Sequence, residues 1–316
     1  MSRAFIFPGQ GAQTIGMGRA LAEAYPAAKA IFDEVDAALD QSLSSLIWEG
    51  DAETLTLTEN AQPALMATSL AALRALEAEG VQVDSAAFVA GHSLGEYSAL
   101  TAAGALRVAD AARLLRIRGR AMQSAVPVGM GAMAALLGLD LATAREVAAE
   151  AAADGGVCAA ANDNDPGQVV ISGSKHAVER AVEIAKAKGA KRAVMLPVSA
   201  PFHCALMAPA AEVMAEALAA VQIKAPSVPL VANVRAAALT DPDEIRALLV
   251  EQVTGSVRWR ESVQYMLGQG VTEFWEIGAG KALSGMVRRI ERSAAVQNIG
   301  TPEEVAKVIA ADTAAE

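Results

Sequence analysis

The 316-residue chain predicts an α/β fold in two parts. The larger is an α/β-hydrolase-like unit with a mainly parallel sheet, residues 1–127 and 200–316, and the smaller is an inserted ferredoxin-like unit, residues 128–199. Three observations lead there. Strand-like and helix-like runs alternate through the first 127 residues, the pattern of a parallel sheet with crossover helices. A serine lies in Gly91-His92-Ser93-Leu94-Gly95, with a strand-like run before it and a helix-like run after it. From residue 130 to residue 198 the order of elements is β-α-β-β-α-β.

The first strand, residues 4–7, runs into the Gly-rich loop Pro8-Gly9-Gln10-Gly11-Ala12-Gln13. Helical spacing then covers residues 17–23, 27–39 and 62–79. A strand at 86–90 leads into the serine turn, followed by helices at 96–103 and 108–124. In the smaller unit, strands at 130–137, 157–161, 168–172 and 192–198 alternate with helices at 141–153 and 175–188. The run Asn162-Asp163-Asn164-Asp165-Pro166-Gly167 reads as the hairpin turn between its middle strands. Beyond residue 200, helices at 209–220, 243–253, 259–269 and 281–290 accompany strands at 230–233 and 273–277.

Composition narrows the function classes. The chain is 53% hydrophobic, only 4% aromatic, and carries a net charge of −10. It lacks the basic footprint of a nucleic-acid binder. No apolar run reaches the ~18–20 residues that span a bilayer, and the opening strand is too short for a signal peptide. The two cysteines, Cys158 and Cys204, do not make a disulfide framework, so a reduced, cytoplasmic protein is expected.

Strand, G-x-S-x-G and helix in series form a nucleophile elbow. The turn strains the serine backbone, and flanking glycines admit the neighbouring chain. The hydroxyl then projects at a helix N-terminus, where the N–H of Leu94 can bind an oxyanion. Such a serine needs a base, and the chain has three histidines. His92 adjoins Ser93 across the turn and reads as a local packing or hydrogen-bonding residue. His176 opens a charged helix and reads as solvated. His203, in a Pro-kinked loop after a strand, is the candidate base, with a structural histidine as the alternative. Arg118 stands in the apolar stripe of helix 108–124, with Ala111, Leu114, Leu115 and Met122, while Arg113, Arg116 and Arg120 take the opposite, polar face. A cation in such a stripe needs an anion. Spacing leaves a structural salt bridge and a clamp for a substrate carboxylate both open.

Other signals are weaker. Gly9-Gln10-Gly11 lacks the third glycine of a dinucleotide fingerprint, having Thr14 there, and Gly278-Ala279-Gly280-Lys281 lacks the flanking residues of a phosphate loop. The latter reads as a tight strand-to-helix turn. No His/Cys cluster suggests zinc, and Asn162–Gly167 lacks the flanking helices and final glutamate of a calcium loop. Cys204, beside His203, reads as a buried small hydrophobe.

The loop Phe7-Pro8-Gly9-Gln10-Gly11-Ala12-Gln13, the elbow Gly91-His92-Ser93-Leu94-Gly95-Glu96-Tyr97, Arg116-Ile117-Arg118-Gly119, the run from Asn162 to Gly173, and Pro197-Val198-Ser199-Ala200-Pro201-Phe202-His203-Cys204 occur in that order. Together they resemble the malonyl-CoA:acyl carrier protein transacylase family of fatty-acid synthesis, from Phe5 to about Ile290. The resemblance implies that Ser93 is the acylated nucleophile and His203 its base, with no carboxylate behind the histidine. It implies backbone N–H donors at Gln10 and Leu94, a carboxylate-binding role for Arg118, and a backbone carbonyl of Gln252 that orients His203. Asn162 would line the cleft between the two units, and Phe202 stands where some members carry serine. The implied reaction passes malonyl from coenzyme A to acyl carrier protein. The thioester is the substrate, no cofactor is needed, and the expected assembly is a monomer. The rival from the residues alone is a serine hydrolase, which would draw its acid from Asp140, Asp154, Asp163 or Asp165. A non-enzymatic carrier-protein-binding module is a second rival.

Overall fold

The structure is a computed structural model that describes residues 2–198 and 200–313. Ser199 of the histidine-bearing motif lies outside them. The chain begins with β1 (Arg3–Phe7), then α1 (Arg19–Ala24), α2 (Pro26–Leu39), α3 (Leu43–Glu49), α4 (Ala52–Thr56) and α5 (Thr58–Ala78). β2 (Phe88–Gly91), α6 (Gly95–Ala102) and α7 (Val108–Ser124) carry the serine turn. A second group follows: β3 (Gly131–Leu137), α8 (Leu141–Ala153), β4 (Cys158–Asp165), β5 (Gln168–Ser174), α9 (Lys175–Ala187) and β6 (Arg192–Met195). The chain closes with α10 (Ala208–Ala219), β7 (Leu230–Val231), β8 (Ala238–Leu239), α11 (Pro242–Thr254), α12 (Trp259–Gly268), β9 (Glu273–Ile277), α13 (Ala282–Ile290), β10 (Ala295–Ile299) and α14 (Pro302–Thr313).

The larger sheet has the order β10-β9-β1-β2-β7-β8 and is parallel except for its edge pair β7–β8. A parallel sheet is covered on both faces, so its strands read as continuous apolar runs. β1 shows this directly: Phe5 and Phe7 face the layer of α2, α5 and α7, while Ala4 and Ile6 face α12 and α13. The helix α5 is buried over nearly its whole length, which explains its weak amphipathic signal. It starts at Thr58, earlier than the expected residue 62, because Pro63 sits inside it and masks the first turn in a reading by propensity.

The smaller sheet has the order β4-β5-β3-β6, all antiparallel, as the ferredoxin-like arrangement requires. Its two faces differ. Ala134, Leu136 and Ile171 pack under α8 and α9. Met133, Ala135, Ala161 and Val170 face the other way, toward Val198 and Phe202. That second face forms one wall of the cleft described below.

Two expectations need correction. Asn162 to Asp165 are not a hairpin turn. They extend β4 through two register shifts, and the turn shrinks to Pro166-Gly167. The reason is tertiary: the backbone of β4 bonds to a segment of the larger unit, with Asp163 N–H donating to Val257 O at 2.9 Å and Val257 N–H to Ala161 O at 2.8 Å. Arg116, expected on a solvated face, is buried, donating to Asn60 Oδ1 at 2.7 Å with Glu59 nearby.

Candidate active site

The elbow is built by close backbone approach. A Cβ on Gly91 would lie 1.9 Å from the carbonyl carbon and oxygen of Gly95, and one on Gly95 would lie 2.3 Å from Phe7 O. Only glycine fits at either position. Between them Ser93 adopts φ 53°, a left-handed conformation that costs a non-glycine residue of order 1 kcal/mol. Its N–H donates to Asn233 Oδ1 at 2.8 Å, and Asn233 Nδ2 donates to Gly91 O at 2.7 Å, so one side chain braces the turn from both sides.

Ser93 Oγ lies 2.8 Å from His203 Nε2. On the other side of the ring, Nδ1 faces Gln252 O at 2.9 Å and Gly255 O at 3.2 Å. A carbonyl can only accept, so Nδ1 carries the proton and Nε2 is left as the acceptor for the serine hydroxyl. Burial pushes the His203 pKa down to about 3, with the Arg118 cation adding to the effect and the Gln252 carbonyl opposing it. The imidazole is therefore neutral in the resting protein. The position that a triad aspartate would fill holds backbone carbonyls; of the four candidate aspartates, Asp163 pairs with Arg260 and Asp165 with Arg289, while Asp140 and Asp154 stand at the two ends of α8.

Arg118 lies behind Ser93, 1% exposed. Nη1 donates to Gln62 Oε1 at 2.8 Å, and Nη2 donates to Gln252 Oε1 at 2.8 Å and to Ser93 Oγ at 3.2 Å. Nε has no hydrogen-bond partner among the described residues. Among the described residues no carboxylate lies within ion-pair distance of this guanidinium, so it is not held by a structural salt bridge. Burial lowers its pKa, with Tyr97 and Glu96 opposing, yet arginine keeps its charge at neutral pH. Its side-chain partners, Gln62, Gln252 and Ser93, are all neutral.

A cleft of about 520 Å³ opens in front of Ser93 and His203. Gly9 and Gln10 border it on one side, Met133, Ala135 and Val170 on another, with Asn162, Asn164 and Phe202 between. Leu94 is buried at the N-cap of α6, where a helix leaves N–H groups unpaired. Gln10 is exposed, and its Oε1 accepts from Thr58 Oγ1 at 2.9 Å. His92, expected to bond locally, instead reaches the smaller unit, its Nε2 2.9 Å from Asn164 Oδ1 and its ring against Trp259, while His176 is exposed. Gly278 and Gly280 make a tight turn between β9 and α13.

Sequence reasoning misses three residues of the site: Asn233 and Gln62, which lie in no motif, and Glu96, which the longer elbow motif includes but gives no role. Glu96 follows the elbow directly, and its place in the first turn of a fully buried helix was the available signal. Gln252 does more than present a carbonyl. Its Nε2 donates to Ser93 O at 2.9 Å and to Glu96 Oε2 at 2.7 Å.

The chain matches the family model for the acyl transferase domain over residues 4–310. It is 51% identical over 302 residues to the malonyl CoA-acyl carrier protein transacylase of Bacillus subtilis, covering 96% of this chain and 94% of the relative. It is 48% identical over 306 residues to the enzyme of that name from Escherichia coli strain K12, covering 97% and 98%. A crystal structure of an acyl-carrier-protein S-malonyltransferase from Bartonella henselae superposes with a TM-score of 0.96 at 55% identity, covering 98% and 99%. A type II polyketide acyl-carrier protein in complex with its malonyl-transacylase gives a TM-score of 0.95 at 40% identity, covering 98% and 100%. Over nearly its whole length this chain belongs to the acyl transferase domain family, among the malonyl CoA-acyl carrier protein transacylases.

Proposed function

We propose that this chain moves malonyl from malonyl-CoA to the phosphopantetheine thiol of acyl carrier protein, supplying fatty-acid synthesis, through a malonyl ester on Ser93. The observation that carries the residue assignment is Arg118. It is a buried cation with a free Nε, and its Nη2 lies 3.2 Å from Ser93 Oγ. Nε and Nη2 form a side-on fork that would donate two parallel hydrogen bonds to a carboxylate, which would replace one of the present Nη2 contacts, to Ser93 Oγ or Gln252 Oε1. The carboxylate of malonyl, one methylene from its thioester carbonyl, would then set that carbonyl beside Ser93.

The steps follow from the geometry. His203 Nε2 takes the Ser93 proton, and the oxygen attacks the thioester carbonyl. The N–H groups of Leu94 and Gln10 receive the oxyanion. The tetrahedral intermediate collapses, the C–S bond breaks, and the coenzyme A thiolate leaves with the proton from His203. The carrier thiol then gives its proton to His203, attacks the ester carbonyl, and Ser93 regains its proton as it leaves. Gln252 O and Gly255 O keep the ring in its working tautomer. The coenzyme A thioester is substrate, and no cofactor enters the reaction. Asn162 and Phe202 line the cleft.

The reading includes a larger unit of residues 1–127 and 200–316 and an inserted unit of residues 128–199, supported by their separate sheets and cores. It takes the working form to be a cytoplasmic monomer. Among the described residues no helix is long and apolar enough to cross a membrane.

The test is intact-mass analysis after mixing with malonyl-CoA. Wild type should gain one malonyl group and lose it on addition of holo acyl carrier protein. Ser93→Ala, which removes only a hydroxyl, should gain none. A malonyl adduct on that variant would refute the assignment of the nucleophile.

A further inference from the structure

Glu96 is 1% exposed and lies in the first turn of α6, directly behind the serine turn. Its Oε2 accepts from Gln252 Nε2 at 2.7 Å and from the Asn233 N–H at 3.3 Å. Gln252 Oε1 in turn accepts from Arg118 Nη2 at 2.8 Å. One amide therefore separates a buried carboxyl group from a buried guanidinium, and among the described residues neither has a closer charged partner. Arg118 on α7 is the charge acting on Glu96. Tyr97, on its own helix, is a titratable neighbour, and His203 lies beyond Gln252. The other side chains bonded to it are neutral.

The empty site balances one cation with one anion. A substrate carboxylate on Arg118 would make two buried anions for one cation. Two carboxylates that share one counter-charge in a desolvated site do not both stay ionised. We propose that Glu96 is a charge-balancing residue: it takes a proton from solvent when the malonyl carboxylate pairs with Arg118, and stays ionised when acetyl, which has no carboxylate, occupies the cleft. The inference rests on the clamp role of Arg118 given above. Burial already pushes the Glu96 pKa up to about 7, against the hydrogen bonds of Gln252 and Asn233 and the charge of Arg118. The carboxyl group thus stands where one more negative charge nearby protonates it.

The sign of the pH effect follows. Binding that takes up a proton weakens as pH rises. The ratio of malonyl-CoA to acetyl-CoA affinity should be constant below the pKa of Glu96 and fall by up to about tenfold per pH unit above it.

The direct experiment is titration calorimetry on Ser93→Ala, which binds without turnover, at about pH 8 in two buffers of different ionisation enthalpy. Malonyl-CoA should take up close to one proton more than acetyl-CoA, whose coenzyme A phosphates provide the control. Adding Glu96→Gln should abolish that difference. Equal proton counts for the two thioesters overturn the proposal, and so does an excess that persists in a folded Glu96→Gln protein. The first arm needs no change at Glu96, so it reads out even if that variant does not fold. Arg118→Ala on the same background separates the two ideas. If it leaves the malonyl preference intact, the clamp itself is wrong. If it erases the preference while the proton counts in Ser93→Ala are equal, the clamp stands and the Glu96 inference alone fails.

Discussion

Ser93 and His203 both hold left-handed backbone conformations, at φ 53° and 58°, and their side chains meet at 2.8 Å. Strain at both partners of a hydrogen bond is the signature of a site whose geometry the surrounding structure imposes. His203→Ala should slow acylation by ~10²–10⁴-fold, the usual worth of a positioned base, measured by rapid-quench mass analysis. A rate within about twofold of wild type would point to another base. The low pKa of His203 has its own consequence. The base is competent above its pKa, so kcat/KM for acetyl-CoA should show no acid limb centred near the ordinary histidine value of ~6.5. A profile that falls about tenfold per pH unit below 6.5 would contradict a buried neutral base. The same shift makes a stability statement. The folded pKa, about 3, is below the unfolded value, so the contribution of His203 is complete above 6.5 and is lost as pH falls toward about 3. At this scale the sequence singled out Ser93, His203 and Arg118, because each stands out against its neighbours. It hid Gln62, Asn233 and Glu96, which act through partners 56, 140 and 137 positions away.

At the scale of elements, the turn between β2 and α6 depends on absent side chains. Gly95→Ala would put a methyl group 2.3 Å from the Phe7 carbonyl oxygen in the adjoining strand, with no flexible atom to yield. It should destabilise the protein by more than about 3 kcal/mol or prevent folding, read from urea unfolding followed by circular dichroism. A loss under about 1 kcal/mol would mean that α6 can shift off β1 at little cost. The strand β4 shows why local signals mislead. Asn162 to Asp165 have turn chemistry, but their partners lie in the larger unit: Val257 for the backbone, Arg260 for Asp163, His92 for Asn164 and Arg289 for Asp165. Asp163 is buried while Arg260 is partly exposed, and burial raises the Asp163 pKa despite the arginine. Asp163→Ala should cost ~1–3 kcal/mol, below the range for a fully buried pair because solvent screens one partner. No change in the urea midpoint would show that the pair contributes nothing. The short α3 and α4, the two-residue β8 and the edge strand β10 escaped the sequence reading for a different reason. Elements this short or this mixed in polarity carry too few periods to separate from loop.

For the whole molecule, the cleft is a joint product of both sheets. The larger brings Ser93, His203 and the Gly9-Gln10 loop to one edge, with Arg118 behind Ser93, and the smaller lines the cleft with an apolar face. The fold class was legible because strands and helices alternate and because β-α-β-β-α-β is a complete unit. The polar ties across the cleft were not, since they join residues far apart in sequence. The central claim is that this cleft selects an acyl group by its free carboxylate and delivers it to Ser93. Arg118→Lys should recover only part of any selectivity lost in Arg118→Ala, because a point charge does not reproduce the planar fork. The most direct measurement is a first-turnover competition. Wild type and Arg118→Ala are mixed with equal malonyl-CoA and acetyl-CoA, and the two adducts are counted by intact mass. Wild type should carry almost entirely malonyl. In Arg118→Ala the malonyl-to-acetyl ratio should fall by at least about thirtyfold, as loss of a desolvated charge pair of ~2 kcal/mol or more requires. The same ratio in both proteins would contradict the account.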